Sequence, residues 1–68
     1  MKKITKGNIY TWESVNIPVY VLKKSKSIDM VYVLTEDQEI HYIDKGNLIE
    51  LTEEHQNLDW CRMLSNDF

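Results

Sequence analysis

Between Glu39 and Leu51 the chain reads EIHYIDKGNLIEL: two strand-length runs, Ile40–Ile43 and Leu48–Leu51, around the polar link Asp44-Lys45-Gly46-Asn47. Each run is too short for a helix, and the link has the residue chemistry of a tight turn. Three more β-type runs come first: Asn8–Glu13 (NIYTWE), Ile17–Lys23 (IPVYVLK) and Ile28–Thr35 (IDMVYVLT). Their β-branched and aromatic content favours strands over helices. The polar gaps between them are too short for the crossover helix that parallel strands require, so the strands are antiparallel. Five brief strands joined by tight turns predict a small, strongly bent barrel or roll.

Within this pattern, Ile9 and Thr11 share one face of the first strand, and Tyr10 and Trp12 share the other. The Tyr10/Trp12 face is expected to lie at least partly in the core. Pro18 lacks a ladder donor and so belongs on an edge strand or at a strand's beginning. The third strand is apolar on both sides: Ile28, Met30, Tyr32 and Leu34 on one, Val31 and Val33 on the other. Such a strand is expected to be covered twice.

The second cover is expected from residues 53–64. Thr52 is a suitable N-cap, and Glu53 and Glu54 complement the positive end of a helix dipole. Leu58, Cys61 and Leu64 then recur at helical spacing, with Trp60 and Met63 beside them. A helix of about 12 residues is marginal by itself in water, so it should dock. On that packing, Leu64→Asp and Trp60→Ala are expected to be severely destabilising. Residues 1–7 are polar and lysine-rich and are expected to be loosely held. The whole chain, 1–68, forms one mainly β domain with a thin stability margin, because a chain this short buries only about 60% of its unfolded surface.

The strand order, the short fourth turn and the HYIDKGNLIEL stretch resemble the SH3-like small barrels, including KOW- and Tudor-type modules, over residues 7–51. That resemblance implies a five-stranded antiparallel barrel used as a binding surface, without specifying a ligand. The chain departs from the pattern in two places. No glycine sits in the first hairpin, where KOW units usually carry one, and the helix after the fifth strand is an addition.

Catalytic and metal chemistry find little support. His41, His55 and Cys61 are the only soft metal ligands, and their spacing lacks the paired short intervals of a zinc site. A lone cysteine excludes an intrachain disulfide and suits a reducing compartment. Ser14, Ser25, Ser27 and Ser65 lack the flanking glycines of a nucleophile elbow, and Gly7 and Gly46 are too far apart for a phosphate loop. No catalytic residue, metal site or cofactor is therefore assigned, and the chain is expected not to be an enzyme. Met1-Lys2-Lys3 opens like a signal peptide, but no apolar run follows, and no stretch reaches the roughly 20 apolar residues of a membrane span. The expected location is the cytoplasm, the host's if the chain is phage-encoded.

Charge is unevenly placed. Residues 1–34 carry six lysines against Glu13 and Asp29, giving +4. Residues 35–68 carry Lys45 and Arg62 against nine carboxylates, giving −7. With seven aromatic residues in so small a chain, some must remain on the surface, where such side chains dominate interface energetics. The leading expectation is a small protein-binding module that regulates or inhibits a larger intracellular protein, encoded by a phage or mobile element. Its expected contacts are Tyr20, Glu36, Asp37, Glu39, Asp44, Glu50, Glu53 and Glu54, facing a basic surface. The alternative is nucleic-acid binding through Lys3, Lys6, Lys23, Lys24 and Lys26, with Tyr10, Trp12 and Tyr20 stacking bases. Against it stands a pI near 5.2, where nucleic-acid-binding domains commonly exceed about 9. A third expectation is a homodimer formed by pairing of an open Pro18 strand.

Overall fold

A computed structural model describes residues 4–26 and 28–65. Five strands form one antiparallel sheet: β1 (Ile9–Trp12), β2 (Ile17–Lys24), β3 (Met30–Thr35), β4 (Ile40–Asp44) and β5 (Leu48–Ile49). Two short helices follow, α1 (Glu53–Gln56) and α2 (Asp59–Ser65). The sheet order is β4-β3-β2-β1-β5. It is an open sheet, with β4 and β5 at its edges.

The turns explain the tight connections. Asn16 takes φ 55° after β1, a left-handed conformation that asparagine tolerates better than most residues. It thus occupies the place where a glycine is missing, and its N–H donates to the Trp12 carbonyl at 2.8 Å. Between β3 and β4, Gln38 is left-handed at φ 67°, while the Thr35 hydroxyl accepts from the Glu39 N–H at 3.2 Å. After β4, the Asp44 carboxylate accepts from the Gly46 N–H at 2.7 Å and starts a 3-10 turn over Lys45–Asn47.

Register sorts the side chains, because directly paired residues share a face. Tyr10 pairs with Val19, Trp12 with Ile17 and Leu48, Val21 with Val33, and Val31 with Ile43. These residues make the inner face. Val19, Val21, Val33 and Leu48 are fully buried there, and Tyr10, Trp12 and Ile17 pack against them. The ring centroids of Trp12 and His41 lie 5.3 Å apart. Their strands are separated by β2 and β3, so in a flat sheet they would stand about 14 Å apart. The sheet is therefore strongly curled, helped by a bulge between Val21 and Lys23. The Trp12 Nε1–H is buried with no hydrogen-bond partner among the described residues, so packing alone holds this ring.

Several expectations change. Ile4 is 2% exposed and belongs to the core. The segment around it is tied down where the Thr5 N–H donates to the Tyr10 hydroxyl and the Gly7 N–H to the Val21 carbonyl. Gly7, at φ 87°, makes the bend. Pro18 sits at the beginning of β2, one of its two expected places, but β2 is interior, between β1 and β3, so no open Pro18 strand is available for the expected homodimer. The single helix is two, because Asn57, a weak helix former, caps α1 after one turn.

The helical segment covers the outer face at β1 rather than at β3. Thr11 is buried there beside its paired residue Pro18, also buried. His55 is buried as well, with Nδ1 3.0 Å from the Thr11 hydroxyl. That hydroxyl also accepts from the Thr52 N–H at 3.3 Å, and the Thr52 hydroxyl accepts from the His55 N–H. Besides the lone pair taken by Thr52, the Thr11 hydroxyl keeps a proton and a second lone pair, so it can complete the contact at His55 Nδ1 as donor or as acceptor. Thr11→Val keeps the shape but leaves the buried His55 Nδ1 and the part-buried Thr52 N–H without this partner. Its expected cost is about 1–3 kcal/mol, read as a lower denaturant midpoint; an unchanged midpoint would detach α1 from β1. By contrast, Trp60 and Leu64 are only half-buried, so their truncation should cost less than a fully buried anchor predicts.

Candidate functional site

Curling the sheet buries one face and leaves part of the other in solvent. On the outer face of β2, β3 and β4, Tyr20 pairs with Leu34 and Leu34 with Ile40. In the next row, Lys23 pairs with Tyr32 and Tyr32 with Tyr42. The two tyrosine rings contact each other with centroids 4.5 Å apart and planes inclined at 36°. Ile40 is 63% exposed, Tyr42 44% and Tyr32 39%. Tyr20 and Leu34 are half-buried beside them. Neighbouring exposed apolar side chains on one sheet face are uncommon for a surface that meets only water.

The expected acidic contacts fall into three groups. Glu36, Asp37 and Glu39 are exposed around the β3–β4 turn, where Glu39 lies 3.4 Å from His41. Asp44 is exposed at the other end of β4, on the same face as Tyr42. Glu50 follows β5, and Glu53 and Glu54 occupy the first turn of α1, all three exposed. The helical segment and the β3–β4 turn come close enough for Glu36 to act on Cys61. Burial pushes the Cys61 thiol above its ordinary value of 9.0, and the Glu36 carboxylate adds to the rise. The thiol is held protonated and is a poor nucleophile at neutral pH.

The lysines gather at the opposite end of β3, about 20 Å away over its six residues. Lys24, Lys26 and Lys45 line a shallow pocket of about 260 Å³ with Ser25, Ile28, Asp29, Met30 and Val31. Asp29 partly neutralises it, its carboxylate standing 3.3 Å from Lys45 Nζ. Lys23 lies outside this pocket, on the tyrosine face. Lys6 is exposed one residue before Gly7, which bonds to β2. Lys3 lies outside the described residues. The stacking residues proposed with these lysines are divided, since Tyr10 and Trp12 face inward and Tyr20 outward.

Among the described residues, no three His, Cys, Asp or Glu side chains cluster closely enough to hold a metal ion. No helix among them is long and apolar enough to cross a membrane. Comparison of the chain with protein families, with curated proteins and with solved structures returned no match.

The residues that sequence reasoning missed are Tyr32, Ile40 and Tyr42. In β4 the outward pair Ile40 and Tyr42 alternates with the inward His41 and Ile43. Both sets contain large apolar groups, so alternation alone does not say which one meets water.

Proposed function

We propose that this chain is a small non-enzymatic protein-binding module whose contact surface is the outer face of β2, β3 and β4. The observation that carries the reading is the exposed Tyr32–Tyr42 pair, extended by Leu34 and Ile40. A rigid aromatic pair with an aliphatic neighbour is the composition of an interface anchor. Glu36, Asp37 and Glu39 at one end of the hairpin and Asp44 at the other form an acidic rim, suited to a basic protein partner and to its electrostatic steering. A regulator or inhibitor of a larger protein is the role that fits a binding surface without chemistry of its own. The sheet order and the short β4–β5 connection support the SH3-like small-barrel resemblance.

Affinity capture with the native chain, with Tyr32→Ala and with Lys24→Ala tests this reading. A specific partner should be retained by the native chain and by Lys24→Ala, lost with Tyr32→Ala, and weakened as salt rises. Equal retention by Tyr32→Ala would remove the aromatic face from the interaction. The pocket lined by Lys24 and Lys26 favours a second reading, nucleic-acid binding, with the exposed Lys6 and Lys23 outside the pocket as further phosphate contacts. An electrophoretic shift that weakens steeply with salt and is lost in Lys24→Ala would favour it instead.

A further inference from the structure

We propose that two copies of this chain pair through the free edge of β4, in antiparallel register about Tyr42. The backbone fixes which groups are available. The Thr35 N–H donates to the Glu39 carbonyl at 2.9 Å, and the Lys45 N–H to the Asp29 carbonyl at 2.8 Å. These bonds set the phase of the β3–β4 ladder: the odd-numbered residues His41 and Ile43 direct their backbone groups at β3. Ile40, Tyr42 and Asp44 direct theirs away from it. No strand among the described residues lies on that side.

Edge strands are normally blunted by proline, a bulge, an inward charge or extreme shortness. Ile40–Asp44 has no proline and no bulge, and it runs five residues in unbroken register with β3. The other edge, β5, is only two residues long. β4 is therefore the edge open to strand addition.

A second copy fits this edge by charge and by symmetry. A two-fold axis at Tyr42 sets Tyr42 opposite itself, with reciprocal backbone hydrogen bonds. It also sets Ile40 opposite Asp44 of the second copy, again with outward backbone groups on both. One position further out, Glu39 meets Lys45 of the second copy, an opposite-charge pair. No like charges oppose each other in this register, and Tyr32 and Tyr42 of the two copies join into one aromatic row. The pairing shares Ile40 and Tyr42 with the partner-binding face above but is carried by the backbone edge of β4, so Tyr32→Ala, which leaves that edge intact, separates the two readings.

Sedimentation equilibrium from about 1 µM to 1 mM tests the proposal. The native chain should pass from monomer to dimer across that range. The register then predicts opposite effects at Ile40, which is 63% exposed. Ile40→Lys places an ammonium opposite Asp44 of the second copy, whereas Ile40→Asp places a carboxylate there. The Ile40→Asp dimer should dissociate roughly tenfold more readily than the Ile40→Lys dimer, with the gap closing as salt rises. Tyr42→Lys and Tyr42→Asp should each be monomeric yet dimerise when mixed, because residue 42 meets itself. Thermal melts of the isolated variants separate this from unfolding. A native chain that stays monomeric throughout overturns the proposal, as does equal dissociation of the two Ile40 variants. So does a β4 edge that gains amide protection only when a foreign polypeptide is added.

Discussion

Leu48→Ala is expected to remove about 2–5 kcal/mol of stability, the largest share that any one residue of β5 can supply. Leu48 is completely buried, and it pairs with Trp12 where β5 joins β1. The strand is only two residues long, so it has little else to anchor it. A domain of this size has about 3–10 kcal/mol in total by the usual per-residue range, which makes this loss a large fraction of the whole. Urea denaturation followed by tryptophan fluorescence reads it directly, because Trp12 sits opposite the altered position. The midpoint should fall well below that of Val15→Ala, a change at a residue 53% exposed. Equal midpoints for the two variants would mean that β5 is not docked on β1.

Ile4→Ala should cost a comparable amount, about 2–5 kcal/mol. This residue lies outside every strand yet is 2% exposed and packed into the valine core. The segment closes over the sheet through the Thr5 bond to Tyr10 and the Gly7 bond to Val21. Thr5→Ala, at an exposed position whose interaction is made by its backbone N–H, is the matching control. If Ile4→Ala and Thr5→Ala melt together, residues 4–7 contribute nothing to the core.

Both results bear on why only some of the fold can be read from the residues. The five strands and their turns are local properties. Runs such as VYVL and IHYI adopt extended backbone by their own sterics, and Asp44-Lys45-Gly46-Asn47 makes its turn through a side-chain bond two residues long. Ile4 has no such local signal. A single isoleucine among lysines and threonine resembles a frayed end, and its burial depends on a cavity formed by residues far along the chain. The same holds for His55, whose buried place requires the Thr11 hydroxyl 44 residues away.

The candidate site divides in the same manner. Acidic residues were legible as turn and cap residues, because such positions favour exposed charge. The aromatic face was not. Tyr32 lies in the most apolar run of the chain, and that composition suggests double cover. The helical segment that would supply the cover is tied instead to Thr11 on β1, and the Tyr32 row stays in solvent.

Sequence alone determined the number of strands, their antiparallel sense and the places where the chain turns, since each depends on neighbours a few residues apart. Tertiary structure decided which face of the sheet is dry, where the short helices land, and that β4 rather than the proline-bearing β2 forms an open edge. Those outcomes depend on how distant segments compete for the same apolar surface, and alternation of apolar residues on both faces gives no local basis for choosing between them.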